Sequence, residues 1–256
     1  MAREVGEQKG WSRRNALLIG LGLVAVAGGW QLWLKRPRPF SFQAIPGLPD
    51  WRMLEFDGLS VSSGSATSAI FAGLEADGDN VAPLPVGDLC DTLFQNPEQG
   101  VPIALFSDFF CPYCRVLTAR MADRIKRGTS GIAVTWHELP LLGQSSVIAA
   151  KAALAADNQG AYPEFSTKLM QSPFRPSPQF LAQIAEATGI DAETLLSDME
   201  SADVQNRLTA SLAASKTLGI WATPAMVVGR TVVMGQISDD ELDTLIEIEA
   251  GAQSIC

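Results

Sequence analysis

The sequence predicts an α/β fold interrupted by an all-helical insertion, and three observations carry that expectation. Val101–Phe106 is an apolar run of strand length, followed by a segment of helical period and a second strand at Ile132–Trp136. Residues 145–218 then read as helix after helix. The chain returns to two short strands, Ala225–Val228 and Thr231–Met234, and closes on a helix. The resulting order is strand–helix–strand, helices, hairpin, helix.

Composition frames this body. Apolar residues make up 47% of the 256 and charged residues 18%, enough for a sizeable core. The net charge of −9 is unevenly spread. Residues 1–38 hold seven Lys/Arg against two Asp/Glu, or +5; residues 39–256 hold twelve against twenty-six, or −14. So acidic a body argues against a nucleic-acid partner. A single histidine, His137, excludes multi-histidine metal sites.

The N-terminus reads as a membrane or export element. Ala16–Leu34 is a stretch of 19 residues without a charge, long enough to cross a bilayer core as a helix. Arg13 and Arg14 precede it; Lys35, Arg36 and Arg38 follow, with Trp30 and Trp33 at the far interface. The basic flank after the segment fits an anchor that stays. Ala25–Val26–Ala27 fits a cleaved signal, and Ser12–Arg13–Arg14 with Leu17 partly resembles a twin-arginine signal. Either way the acidic body is expected outside the cytoplasm.

Residues 36–97, rich in Pro, Gly, Ser and Asp, read as a spacer with short ordered pieces: a strand over Trp51–Phe56 and a short helix over Val86–Phe94. Beyond it, Cys111–Arg127 reads as a helix with Leu117, Met121 and Ile125 on one face and Gly128 as its end. It is long enough to connect parallel strands. Ser145 or Ser146 is the expected cap of an Ala-rich helix, and Phe165 and Leu169 mark another after Pro163. Ser177–Pro178 opens a helix that Gly189 closes, Asp191 opens the next, and Val204, Leu208 and Leu212 line one ending at Gly219. Gly229–Arg230 is the hairpin turn, and Ser238 with Glu241 forms a capping box for the last helix.

The chemistry sits at Cys111–Pro112–Tyr113–Cys114, directly after a strand and at the mouth of a helix. Free backbone N–H groups and the positive helix end stabilise an anion there. Cys111 should therefore have a lowered thiolate pKa and act as nucleophile. Cys114, about a turn inside, should be more buried and resolve the mixed disulfide. Pro112 suits the first turn, and Arg115 adds positive potential. A zinc knuckle would need a second close cysteine pair, and Cys90 and Cys256 are single and distant. No metal and no cofactor is expected. In the predicted element order, the Thr223–Pro224 loop folds back against the cysteine helix. A cis proline there would leave backbone groups for an extended client peptide; an ordinary trans proline starting an edge strand is the alternative.

Three segments together, FSDFFCPYC, ELPLLGQSS and GIWATPAMVVG, resemble the DsbA family of extracytoplasmic thiol–disulfide oxidoreductases. The resemblance covers about residues 98–250. It implies a thioredoxin-like fold with an inserted all-helical domain, preceded here by the N-terminal membrane anchor or signal. It implies Cys111 as nucleophile, Cys114 as its partner and Pro224 as the cis proline. Pro112, Tyr113, Thr223 and Pro224 then shape the site. The partners implied are cysteine-containing client proteins and a membrane redox partner of the DsbB or DsbD type. The organisation that follows is 1–35 for the stub and membrane or signal segment, 36–97 for the spacer, 98–142 and 220–256 for the fold's two halves, and 143–219 for the insertion.

The sequence departs from the best-known members. Tyr113 stands where His is usual, which should weaken the pair as an oxidant. Thr223 before the proline is more like the DsbC/DsbG branch, so isomerase or reductase is the alternative function. A peptide-binding chaperone or metalloprotein assembly factor is a further one. The buried Glu expected six residues before the first cysteine is replaced by Leu105, and Asp108 is the nearest acid: either a proton relay or a solvated carboxylate at a strand end. His137 reads as a surface or hydrogen-bonded residue. Trp221 lines the groove or belongs to the core. Cys90 and Cys256 are expected to pair in an oxidising compartment, with free thiols or an intermolecular bridge as alternatives.

Overall fold

The computed structural model describes residues 40–55, 81–95, 100–128, 131–173 and 175–252. The predicted membrane segment 16–34, the small-residue run at 60–69 and Cys256 lie outside them. Among the described residues no helix is long and apolar enough to cross a membrane.

Six strands form one sheet in the order β1-β2-β6-β5-β3-β4. The strands are β1 (Ser41–Ile45), β2 (Leu48–Glu55), β3 (Gly100–Ser107), β4 (Gly131–Glu138), β5 (Ala225–Val228) and β6 (Thr231–Met234). The helices are α1 (Leu89–Leu93), α2 (Pro112–Lys126), α3 (Gln144–Asn158), α4 (Tyr162–Gln171), α5 (Pro178–Thr188), α6 (Ala192–Asp198), α7 (Ala202–Leu218) and α8 (Asp239–Ala250).

The centre follows the expected plan. β3 and β4 are parallel, with α2 as the crossover, and β5 pairs antiparallel with both β3 and β6. Side chains alternate along β3. Ile103 and Leu105 face α2 and α8 beside Leu117, Met121, Leu242 and Leu245. Ala104 and Phe106 face the other side, with Leu89, Leu93 and Leu218 of α1 and α7. Both faces are covered, which explains why β3 reads as a continuous apolar run. The insertion has its own core: Ala149, Ala153 and Ala156 of α3 pack with Phe165, Leu181 and Leu195.

Local signals held at most ends. Ser177, Asp191 and Ser238 accept hydrogen bonds from Phe180, Thr194 and Glu241 amides, and the capping box at Ser238 is complete. Gly189 and Gly219 close their helices in the left-handed region. Two expectations fail. Ile125 is 45% exposed rather than on the buried face of α2. Neither Ser145 nor Ser146 caps α3, whose N-cap is Gly143; Ser146 is turned to another use described below.

The stretch read as a spacer contributes more than one strand. Residues 41–55 form a hairpin, turned at Pro46–Gly47, and β2 joins the sheet parallel to β6. A buried carboxylate secures it. Glu249 of α8 is 2% exposed and accepts from Arg52 Nη2 at 2.8 Å, Thr231 Oγ1 at 2.6 Å and the Arg230 amide at 3.0 Å. Gly229 makes room: a Cβ there would sit 2.3 Å from Glu249 Oε2. The helix expected over 86–94 begins as a 3-10 turn at Val86–Asp88 and continues as α1.

Candidate active site

Strand pairing brings the distant segments together. Phe106 at the end of β3 pairs with Ala225 at the start of β5. The residues after one, 107–111, therefore lie against the residues before the other, 220–224. The Thr223–Pro224 peptide bond is cis. The Gly235 amide, just past β6, donates to the Pro224 carbonyl at 2.8 Å and fixes the third side of the site.

Cys111 is the N-cap of α2, with Pro112 at the first helical position. Its sulfur accepts from the Cys114 amide at 3.4 Å, as an N-cap side chain does, and lies 3.4 Å from the Thr223 carbonyl oxygen. Cys111 keeps a 6% exposed edge, whereas Cys114 is fully buried. Both are free thiols.

The two sulfurs are electrostatically unlike. The hydrogen bond from the Cys114 thiol lowers the Cys111 thiol most; the Cys114 and Tyr113 backbone and the Thr223 side chain help, against burial, and the pKa falls to about 6. The same hydrogen bond to a Cys111 anion, together with burial, pushes the Cys114 thiol well above the usual range. The arrangement therefore favours ionisation of the Cys111 sulfur, the one of the two with access to solvent.

Around this centre Phe110, Tyr113, Val116, Leu142 and Trp221 are 41–67% exposed, an apolar rim on an otherwise acidic body. Trp221 therefore belongs to the rim and not to the core. Gln236 donates from Nε2 to the Tyr113 carbonyl at 2.5 Å, a contact with no local signal in the sequence.

Asp108 is not a solvated carboxylate at a strand end. It is 1% exposed, and its carboxylate is occupied by four donors: the amides of Phe110, Leu141 and Leu142 and the Ser146 hydroxyl. His137 is buried rather than at the surface, with Ser211 Oγ and the Leu93 carbonyl each 3.0 Å from its ring nitrogens and Phe106 stacked on it. Burial holds its pKa down at about 4. Its neighbour Glu138, also buried, accepts from Tyr162 Oη at 2.5 Å, and burial raises its pKa to about 8. Cys90 is disulfide-bonded. Its expected partner Cys256 lies outside the described residues. Among the described residues no three His, Cys, Asp or Glu side chains cluster as metal ligands would.

Comparison with known proteins agrees with this geometry. Residues 102–247, more than half of the chain, match the model of the DSBA-like thioredoxin domain family. A thioredoxin-like oxidoreductase from Silicibacter pomeroyi DSS-3 is 31% identical, with 64% of this chain and 98% of that one covered and a TM-score of 0.58. The thiol-disulfide exchange protein alpha-DsbA2 from Wolbachia pipientis is 18% identical over 73% of this chain and 99% of its own, with a TM-score of 0.57. A periplasmic thioredoxin-like protein from Salmonella enterica serovar Typhimurium is 21% identical over 64% and 97%, with a TM-score of 0.52. No curated protein sequence matches the chain.

Proposed function

Because the chain belongs to the DSBA-like thioredoxin domain family, we propose that it exchanges disulfides with client proteins outside the cytoplasm, through Cys111 and Cys114. Family members are thiol–disulfide oxidoreductases that work through their own redox-active disulfide without a cofactor, and the chain is an enzyme of this kind. The observation that carries the assignment of roles is the asymmetry of the pair: a low-pKa sulfur at the solvent edge and a high-pKa sulfur fully buried.

Oxidation of a client starts from the Cys111–Cys114 disulfide. A client thiolate attacks Cys111 Sγ, the bond to Cys114 breaks, and Cys114 leaves as a thiolate that takes up a proton. The client's second thiolate then attacks its own sulfur in the mixed disulfide and expels Cys111 as a thiolate. The client loses two electrons and the pair gains them. A membrane partner of the DsbB type returns the pair to the disulfide; a DsbD-type partner would instead keep it reduced. Thr223 and Pro224 hold the client backbone, and the rim from Phe110 to Trp221 takes its apolar side chains.

Location rests on the sequence, with its basic stub, its charge-free residues 16–34 and its acidic body, and on a structural neighbour described as periplasmic. The segment anchors the enzyme in the inner membrane or serves as its export signal. Cys90 and Cys256 form the structural disulfide, joining the chain before β3 to its end. Non-reducing peptide mapping that returned a free Cys256 thiol or a Cys256–Cys256 dimer would remove that bond from the account.

A second reading, isomerase or reductase, uses the same two residues in the reduced form and is favoured by Tyr113 and Thr223. Insulin reduction by the wild type, abolished in Cys111→Ser, is the test of exchange. A Cys111→Ser protein that still complemented a deletion strain would point instead to a chaperone or assembly factor.

A further inference from the structure

Asp108 bonds to the redox loop, to both cysteines and to the segment that leads into the helical insertion. Its side chain lies between the redox loop and the helical insertion: Oδ1 accepts from the Phe110 amide at 2.8 Å and from Ser146 Oγ at 2.8 Å, and Oδ2 accepts from the amides of Leu141 at 2.8 Å and Leu142 at 3.0 Å. Its main chain faces the cysteines. The Asp108 carbonyl accepts from the Cys111 amide at 3.1 Å, and the Asp108 amide points at Cys114 Sγ at 3.4 Å. Asp108 and Ser146 are 1% and 0% exposed, so water does not compete for these bonds.

We propose that Asp108 is a positioning residue for disulfide exchange, its carboxylate fixing the turn that aims the Asp108 amide at the Cys114 sulfur and sets Cys111 as the cap of α2. This rests on the reading of Cys111 and Cys114 as the exchanging pair. When a client attacks Cys111, Cys114 departs as an anion, and the Asp108 N–H is a donor already in place for it. Ser146 of α3 and the Leu141 and Leu142 amides of the loop before it tie the carboxylate, and with it that donor, to the entry of the insertion, which so braces the redox helix.

A buried carboxylate can act on nearby thiols in two ways of opposite sign. Through its charge it would oppose the thiolate, and removing it would lower the Cys111 pKa. Through position it supports the thiolate, and removing it would raise that pKa. Position should win. The charge is spread over four donors, and the groups that set the Cys111 thiol are hydrogen bonds from Cys114, Tyr113 and Thr223.

The test compares wild type, Asp108→Ala, Asp108→Asn and Ser146→Ala as full-length proteins. It reads the thiolate pKa from absorbance at 240 nm and the exchange equilibrium with glutathione. Asp108→Ala should raise the Cys111 pKa by about one unit and make the pair more reducing by up to about tenfold in that equilibrium. Asp108→Asn, which keeps one oxygen acceptor, should fall between, and Ser146→Ala should shift both readouts in the same direction by less. If Asp108→Ala does not fold, Asp108→Asn and Ser146→Ala carry the test. A fall in the Cys111 pKa, or native-like variants with unchanged pKa and equilibrium, would overturn the positioning role while wild-type exchange stands. A wild-type pair that does not exchange with glutathione at all would remove the underlying reading, and this inference with it.

Discussion

The Cys111 sulfur lies 3.4 Å from the carbonyl oxygen of Thr223, a residue 112 positions further along the chain. That single approach joins the two halves of the fold at one point. It exists because β3 and β5 are paired and both end at the site, so the loops that follow one and precede the other must meet. The half-exposed apolar rim gathers around the same point.

Alkylation of the reduced enzyme should follow one ionisation near pH 6. The Cys111 thiol is lowered to about 6, so its reactive anion grows in as pH rises through that value. Cys114 should stay unreactive to well above pH 9, its thiol being raised and its side chain fully buried. Mass mapping of iodoacetamide adducts across pH separates the two. A half-point for Cys111 near 8.5, the ordinary thiol value, would show that the helix mouth does not tune it.

Tyr113→His should make the pair more oxidising. Tyr113 is 67% exposed at the first turn of α2, where an imidazolium would favour the Cys111 thiolate and hence the reduced form. A shift on the order of 30 mV corresponds to about 1.4 kcal/mol for the two-electron couple. Equilibration with glutathione measures it, and an unchanged or more reducing potential would exclude Tyr113 as the tuning position.

The central strand–helix–strand, the helical insertion and the closing hairpin were legible because their signals are local: apolar runs, caps, and glycines at ends. The N-terminal hairpin was only half legible. Its turn, Pro46–Gly47, carries a turn signal, but it sits in a stretch whose composition reads as loop, and its second strand is secured by Glu249, almost 200 residues away. Asp108 was misread for a similar reason. Nothing adjacent to it shows that Leu141, Leu142 and Ser146 will converge on its carboxylate. His137 was expected just after a strand, but β4 runs on to Glu138 and takes it in, and Leu93 and Ser211, both remote, are its buried hydrogen-bond partners.

Glu138 should make stability fall as pH rises towards about 8. Its carboxyl is raised to about 8 from 4.5, so the folded chain keeps a proton that the unfolded chain releases. Stability therefore falls as pH rises between about 4.5 and about 8, by as much as about 5 kcal/mol. His137 acts in the opposite sense: lowered to about 4 from 6.5, it reduces stability as pH falls through that window. Glu138→Gln should keep an acceptor for Tyr162, remove the fall between about 6.5 and about 8, and leave the opposite His137 slope uncompensated between about 4.5 and about 6.5 in denaturant unfolding. A slope unchanged by Glu138→Gln would contradict a protonated, buried Glu138.

Arg52→Ala should loosen the N-terminal hairpin without touching the redox centre. Glu249 would lose a charged donor while keeping Thr231 and Arg230, at a cost of about 1–2 kcal/mol because Arg52 is partly exposed. The network lies at the Val228–Thr231 turn, away from Pro224 at the other end of β5. Thermal unfolding should register the loss, and the reduction potential should not move. A potential that moved with it would show that the hairpin reaches the site.

The assignment of Cys111 as nucleophile is tested most directly by trapping. Cells expressing Cys114→Ala should accumulate mixed disulfides between Cys111 and client proteins, because nothing remains to resolve them. Cells expressing Cys111→Ala should accumulate none, the remaining sulfur being fully buried with a raised pKa. Equal trapping by the two variants, or trapping by Cys111→Ala alone, would contradict the assignment.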